Sequence, residues 1–313
     1  MFNDWESADV LLRQLDTALA GHALNPEVLI VDDGSSIPMP PGFASHPFQT
    51  LRAVDILELR RNLGHQRAIA VGLVYIHDHL PCHSVVVMDS DGEDSPSDIP
   101  ALAAAMERQN GRAIIFAARA KRLENLVFRF FYQLYRIIHW ALTGDTVRVG
   151  NFSIVPFASV KKLVVIPEIW NHYAAAAIRS RLAFETIRIP RGRRIAGSSK
   201  MNFIGLLLHG LSAFFVYGDI VGARLLVAIA IALTVQFLVA VVGLSVYLAE
   251  RPDPIGMAAL AAGILSVMLI QAIPVALILV FTVIGSRASI GVVPLRDCPY
   301  FVSRVQGVFG PQC

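Results

Sequence analysis

Two uninterrupted apolar runs near the C-terminus constrain this chain more than any other feature. Leu225 to Ala249 (LLVAIAIALTVQFLVAVVGLSVYLA) holds no charged residue, and Ile255 to Ser286 holds none either. Each is at least as long as the ~20 residues that cross a ~30 Å hydrocarbon core. No water reaches the backbone there, so each run must satisfy its own hydrogen bonds as a helix. Core helices of soluble proteins rarely run this far without a charge. Gln271 and Pro274 fall mid-span in the second run, where the proline predicts a kink.

Only Glu250-Arg251-Pro252-Asp253-Pro254 separates the two runs, and two prolines among alternating charges predict a tight hairpin. The chain before and after the hairpin then lies on one side of the bilayer. That side carries Arg188, Arg191, Arg193, Arg194, Lys200, Arg224, Arg287, Arg296 and Arg304, which marks it as cytoplasmic. Composition agrees with a membrane protein. Hydrophobic residues make up 55% of the 313 and charged residues 16%, with a mean hydropathy of +0.56; soluble domains are about a quarter charged. Met201 to Tyr217 (MNFIGLLLHGLSAFFVY) is apolar but short, is broken by Gly205 and Gly210, and follows a basic stretch. It reads as a segment lying in the headgroup region. The expected plan is a cytoplasmic domain over 1–200 and an interfacial amphipathic segment over 201–219. Two transmembrane helices follow within 220–286 (about 222–249 and 255–285), then a cytoplasmic tail over 287–313.

The first two-thirds of the chain has a different pattern. Glu27 to Asp33 and Val54 to Leu59 read as strands, Gly64 to His79 as a helix, and Ser84 to Met88 as a buried strand. Pro96 to Gln109 reads as a helix with Ser95 as N-cap, and Ala113 to Ala117 as a further strand. Strands alternating with helices predict an α/β fold, with a mostly parallel sheet covered on both faces. Ligands in such folds sit beyond the carboxyl ends of strands. The acidic groups fall there: Asp32 and Asp33 after one strand, Asp89 and Asp91 after another.

Other function classes find little support. The net charge is only +3, with no long Lys/Arg run and no zinc-finger or RNA-binding signature, so no nucleic-acid partner is expected. Cys82, Cys298 and Cys313 are far apart, without CxxC or Cys/His spacing, which argues against structural zinc. The N-terminus, Met1-Phe2-Asn3-Asp4-Trp5-Glu6, is acidic and has no signal-peptide pattern.

Asp89 and Asp91 are separated by one residue, so both carboxylates can reach one divalent cation. Hard oxygen ligands suit Mg²⁺ or Mn²⁺, which also take oxygens from a diphosphate. Asp94 reads as a helix-capping residue. Asp33 can accept a hydrogen bond from a base N–H, although Asp-Gly-Ser is also ordinary turn chemistry. Arg191-Gly192-Arg193-Arg194 and Gly197-Ser198-Ser199-Lys200 can bind anionic headgroups, or hold a diphosphate or lipid phosphate through fork-like contacts.

Taken in order, these segments resemble family 2 glycosyltransferases of GT-A fold, and within them the polyisoprenyl-phosphate glycosyltransferases such as dolichol-phosphate mannose synthases. Phe2-Asn3-Asp4 resembles the end of "P-V-Y-N-E" and VLIVDDGSS resembles "V-V-D-D-G-S". Arg61 to Gln66 resembles "R-N-x-G-x-x", and VVVMDSDGEDSP resembles "V-x-M-D-A-D-x-x-D-P-P". Arg191-x-x-Arg194-x-x-Gly197-x-Ser199-Lys200 resembles "R-x-x-R-x-x-G-x-S-K". The resemblance implies a membrane-anchored inverting transferase that moves a sugar from a UDP- or GDP-linked donor to a polyisoprenyl phosphate, with Mg²⁺ or Mn²⁺. It implies nucleotide-sugar contacts from Asn3, Asp4, Asp32, Asp33, Asn62 and Gly64. Asp89 and Asp91 would handle metal and diphosphate, and Arg191, Arg194, Ser199 and Lys200 would contact phosphates. A homo-oligomer in a bacterial inner membrane is implied as well.

Two departures from the pattern stand out. Family members begin with an apolar strand before "P-V-Y-N", and that strand is missing from this sequence, which starts at Met1-Phe2-Asn3. Many bacterial relatives have "G-D-F-R" where this chain has Gly150-Asn151-Phe152-Ser153. An amide takes no proton at neutral pH. A phosphate acceptor is already anionic, however, so Asn151 is expected to orient it without acting as a base. The alternatives are a degenerate, non-catalytic membrane-bound relative, or a transferase with a different acceptor.

Overall fold

The computed structural model describes residues 1–119, 133, 137–138, 140–144, 149–189, 216–249, 254–289 and 292–310. Arg191, Arg194, Ser199, Lys200, most of the expected interfacial segment and nearly all of the hairpin turn lie outside the described residues. The chain divides into two compact units: one formed by 1–125, 147–216 and 291–313, the other by 126–146 and 217–290.

In the first unit, α1 (Trp5–Leu19) leads to β1 (Glu27–Asp32), β2 (Ala53–Leu59), α2 (His65–His79) and β3 (Ser84–Val87). A 3₁₀ turn (Pro96–Asp98) then runs into α3 (Ile99–Arg108) and β4 (Ile114–Arg119). Next come β5 (Ser153–Pro156), α4 (Phe157–Leu163), α5 (Tyr173–Arg179) and β6 (Phe184–Ile189). Helix α1 was not apparent in the strand-and-helix pattern. Its Trp5, Ala8, Leu11, Leu12, Leu15 and Leu19 fall on one buried stripe.

The strands, with β7 (Val302–Phe309) from near the C-terminus, form two sheets, ordered β1-β2-β7 and β3-β5-β4-β6. Parallel pairing, expected for most of the sheet, joins β1 to β2 and β4 to β6. The pairs β3/β5, β4/β5 and β2/β7 are antiparallel, so the sheets are mixed. The antiparallel members, β5 and β7, are segments whose pairing partners are distant in sequence.

Helices cover both faces of the sheets. Along β2, Val54 and Ile56 enter one core with α1 and α3, while Leu57 and Leu59 enter the other with α2 and α5. Strand β4 divides the same way, with Ile115 and Ala117 on the first side and Ile114 and Phe116 on the second. Burial on both faces explains why these strands read as nearly continuous apolar runs.

The segment after the second apolar run is not a free tail. α8 (Pro294–Asp297) and β7 (Val302–Phe309) are built into the first unit, and β7 pairs with Val54 to Leu59 of β2. Leu295 N donates to Val164 O at 3.0 Å, and Arg60 N to Phe301 O at 2.9 Å.

The second unit carries α6 (Gly218–Ala249) and α7 (Pro254–Ser289), which pack against each other. Both hold windows long and apolar enough to cross a membrane, with 0% and 6% of those windows buried. A helix apolar all round and uncovered matches lipid, not a soluble core. Thr234, Ser245, Ser266 and Thr282 each return their hydroxyl hydrogen to the carbonyl four residues back. Their polarity is thereby satisfied within the helix, as an apolar medium requires. Gln236 Nε2 reaches Ile264 O across the hairpin at 3.5 Å, and Gly243 leaves room for Leu260.

Candidate functional site

The turn after β1 brings the first acidic pair to the carboxyl end of its strand. Asp32 Oδ1 accepts from Ser35 N at 3.1 Å and from Ser35 Oγ at 2.5 Å, closing the turn. Asp33 points the other way. Its Oδ1 accepts Leu63 N at 2.7 Å and its Oδ2 accepts Gly64 N at 2.9 Å. Both carboxylate oxygens therefore clamp the loop that launches α2. Burial pushes the Asp33 carboxyl above its ordinary value, against the lowering pull of those two N–H donors.

Gly34 lets the two loops meet. Its φ is +68°, and a Cβ there would stand 2.6 Å from the Arg61 carbonyl carbon and 2.7 Å from Asn62 N. Asn62 lies at this crossing and Gly64, φ +93°, is the N-cap of α2. Asn3 fastens the turn from outside: its N donates to Ser35 Oγ, its Nδ2 to Ser36 Oγ, and its Oδ1 accepts Ile37 N. Asp4 is the N-cap residue of α1, without a side-chain cap bond. Met1 lies beside β1, its N donating to Val31 O at 2.6 Å and its O accepting Asp33 N at 2.8 Å.

The second acidic group follows β3. Asp94, 1% exposed, accepts Asp89 N through Oδ2 at 2.8 Å, and Asp91 Oδ1 accepts Glu93 N at 3.0 Å. Asp94 thus holds the backbone of the Asp-x-Asp segment, where a helix-capping role was expected. Ser95 occupies the N-cap position without making a side-chain cap bond.

A polar chain joins this segment to α2 and β5. His65 Nε2 lies 3.3 Å from Asp89 Oδ1 and 2.8 Å from Asn151 Nδ2. Gln66 Nε2 donates to Asn151 Oδ1 at 3.3 Å, and Gln66 Oε1 accepts Tyr173 N at 2.7 Å. Ser153 Oγ donates to Asn151 O at 2.9 Å and meets the Tyr173 hydroxyl at 2.7 Å. Burial pushes the Tyr173 phenol upward, so it stays protonated. Burial, with the nearby N-terminal ammonium, lowers the His65 imidazole from its ordinary value, against the raising pull of Asp33, Asp91 and Asp94.

The structure therefore brings Asp89, Asn151 and the start of α2 together, and ties Asp33, Gly64, Asn62, Asp32 and Asn3 into the adjoining loops. His65, Gln66, Ser153 and Tyr173 had no assigned role in the sequence. A polar His-Gln pair opening an otherwise apolar helix was the available signal for two of them; Tyr173 gave none.

Among the described residues, no group of three or more His, Cys, Asp or Glu side chains converges as a protein-only metal site. The two carboxylates of Asp89 and Asp91 fit another mode, in which Mg²⁺ takes one or two protein carboxylates and completes its shell from phosphate and water.

Comparison with known proteins follows the same outline. A family model described as glycosyl transferase family 2 matches residues 1–164. An undecaprenyl-phosphate 4-deoxy-4-formamido-L-arabinose transferase of Klebsiella pneumoniae (strain 342) is 28% identical over 218 residues, 66% of this chain and 62% of the relative. The protein of that name from Enterobacter sp. (strain 638) is 32% identical over 230 residues, with the same coverage of 66% and 62%. A dodecaprenyl-phosphate galacturonate synthase of Rhizobium johnstonii is 26% identical over 129 residues, 41% of this chain and 37% of the relative. The chain thus spans less than two thirds of the length of the curated relatives it matches.

Proposed function

The chain belongs to glycosyl transferase family 2, and from that premise we propose that it moves a sugar from a UDP- or GDP-linked donor to a polyisoprenyl phosphate at a membrane surface. The observation that carries this is the meeting of Asp89, His65 and Asn151 beyond the carboxyl end of β3, in a chain that also carries two exposed membrane-length helices. The names of the relatives, all acting on polyprenyl phosphates, support the acceptor class.

In this proposal the loops after β1 and β2, held together by Asp33 and Gly34, form the floor for the nucleoside. Asp89 and Asp91 would hold Mg²⁺ or Mn²⁺ jointly with the donor diphosphate. Such a cation, when bound, neutralises charge on the departing diphosphate. The first turn of α2 adds a partial positive charge on the same side. An oxygen of the lipid phosphate attacks the anomeric carbon as the bond to the nucleoside diphosphate breaks, with inversion. The acceptor is already ionised, so Asn151 orients it and no side chain needs to remove a proton. The basic residues Arg191, Arg194 and Lys200, with Ser199, complete the phosphate contacts in this scheme. The domain before the hairpin faces the cytoplasm, and both apolar helices span the bilayer.

The test uses purified full-length protein in nanodiscs with Mg²⁺ or Mn²⁺, undecaprenyl phosphate and a panel of labelled UDP- and GDP-sugars. Labelled lipid-linked sugar is expected from the wild type, with loss in Asp91→Ala while membrane insertion is unchanged. A folded, inserted protein that forms no product with any donor would move the assignment to a non-catalytic relative. Full activity in Asp91→Ala would remove the metal role.

A further inference from the structure

An amide side chain has a donor end and an acceptor end of nearly equal size, and only its partners decide which way it faces. At Asn151 the decision is made from a distance. Tyr173 N is a backbone N–H and can only donate, so the Gln66 atom 2.7 Å away must be Oε1. The other end of Gln66, Nε2, then faces Asn151 and needs an acceptor, which is Asn151 Oδ1 at 3.3 Å. Asn151 is left with its Nδ2 turned toward His65 Nε2, 2.8 Å away. Facing that Nδ2, the ring nitrogen offers a lone pair, so the neutral imidazole carries its hydrogen on Nδ1, and Asp89 Oδ1, 3.3 Å from the same nitrogen, receives no hydrogen from it. Ser153 braces both ends of the chain of bonds, holding the Asn151 carbonyl and the Tyr173 hydroxyl.

Asn151 Nδ2 has two hydrogens, and His65 takes one. We propose that Gln66 is a positioning residue that locks Asn151 as a hydrogen-bond donor, and that the second Nδ2 hydrogen is given to an anionic phosphate oxygen of a ligand bound beside Asp89. The phosphate belongs to the lipid acceptor or to the donor diphosphate, and this identification rests on the transfer reaction proposed above. A flipped amide would turn a carbonyl oxygen toward the same anion and repel it. The direction of one backbone N–H, at Tyr173, therefore sets the polarity that the ligand meets two side chains away.

Gln66→Glu tests this with almost no change of shape. The carboxylate still accepts from Tyr173 N but cannot donate to Asn151, whose amide must turn to donate to it. His65 must then donate through Nε2 in place of accepting. On full-length protein in nanodiscs, the ¹⁵N shifts of His65, assigned by comparison with His65→Gln, should read the Nδ1–H tautomer in the wild type and Nε2–H in Gln66→Glu. Equilibrium affinities for undecaprenyl phosphate, and for UDP and GDP with Mg²⁺, are measured on both proteins without reliance on turnover. Loss of one charge-assisted hydrogen bond predicts about ten-fold weaker binding or more. Weakening of undecaprenyl phosphate alone assigns the contact to the acceptor; weakening of UDP or GDP alone assigns it to the donor.

The wild-type Nε2–H tautomer, or a tautomer switch with all affinities unchanged within about two-fold, would overturn the proposal. So would a wild type that binds none of these ligands. A wild type that binds them without turnover fails the transfer reaction alone and leaves the lock to be judged by the tautomer and affinities. Should Gln66→Glu not fold, Asn151→Ala must show the same loss of phosphate affinity.

Discussion

Gly34→Ala is the perturbation whose cost can be worked most directly from the geometry. Gly34 adopts φ +68°, where an L-residue is disfavoured by about 1 kcal/mol. Its new Cβ would also stand 2.6 Å from the Arg61 carbonyl carbon and 2.7 Å from Asn62 N, and backbone atoms cannot rotate away. The two loops must part, which pulls Asp33 from Leu63 N and Gly64 N, now 2.7 and 2.9 Å from its oxygens. One lost hydrogen bond to a charged acceptor adds about 2 kcal/mol, for a total near 3 kcal/mol. Gly21→Ala provides the control. It has φ +79° but nothing within 4 Å of the added Cβ, so it carries the conformational term alone, about 1 kcal/mol. The difference between the two variants isolates the contact. Hydrogen exchange on the full-length protein should show the Leu63 and Gly64 amides losing roughly thirty-fold protection in Gly34→Ala relative to Gly21→Ala. Donor-nucleotide affinity should fall with it. Equal stability of the two variants, with Leu63 and Gly64 protection intact, would refute the contact account.

Two further outcomes are expected. Cys298 is 1% exposed, and burial raises its thiol to about 12, so iodoacetamide at neutral pH should leave it unmodified in the folded protein while labelling the exposed Cys82; equal labelling would mean that the 3₁₀ turn Cys298–Phe301 lifts readily from α2. Asp16, 9% exposed, accepts the N–H groups of Gln49, Thr50 and Leu51. Burial would raise its carboxyl, but the three donors outweigh it and hold the group below its ordinary 3.8. A depressed folded value gives stability that is present above the unfolded value and lost as pH falls through the folded one. Urea midpoints measured from about pH 6 down to about pH 3 should therefore fall less steeply in Asp16→Asn than in the wild type, from a lower starting point at pH 6. Parallel curves would show that Asp16 contributes nothing to acid unfolding.

Much of the plan was legible because it rests on local rules. Leu225–Ala249 and the run from Ile255 read as helices because an apolar run of that length can enter lipid only with its backbone bonded to itself, and α6 and α7 cover them. The ends of β1 and β3 carry acids because turns and strand ends can expose them: Asp32 closes β1, Asp33 follows it, and Asp89 and Asp91 follow β3. The helices from Gly64 and Pro96 were visible through their apolar periodicity. The basic motif from Arg191 to Lys200 is legible in the sequence alone.

What tertiary structure decided were the pairings between residues far apart in the chain. The segment from Val302 to Phe309 looked like a tail, yet its partner β2 lies some 250 positions earlier, and Arg304 meets Glu58 at 2.6 Å. Nothing local distinguishes an Asp that reads a base from one that clamps two backbone N–H groups, so the structural duty of Asp33 had to await the fold. The direction of the Asn151 amide depends on Tyr173 N through Gln66, three segments that no spacing rule links. Hydropathy and motif order, which each residue carries with it, determined the class and the two long apolar helices. Hydrogen-bond direction and strand partnership, which exist only between residues, were settled by folding.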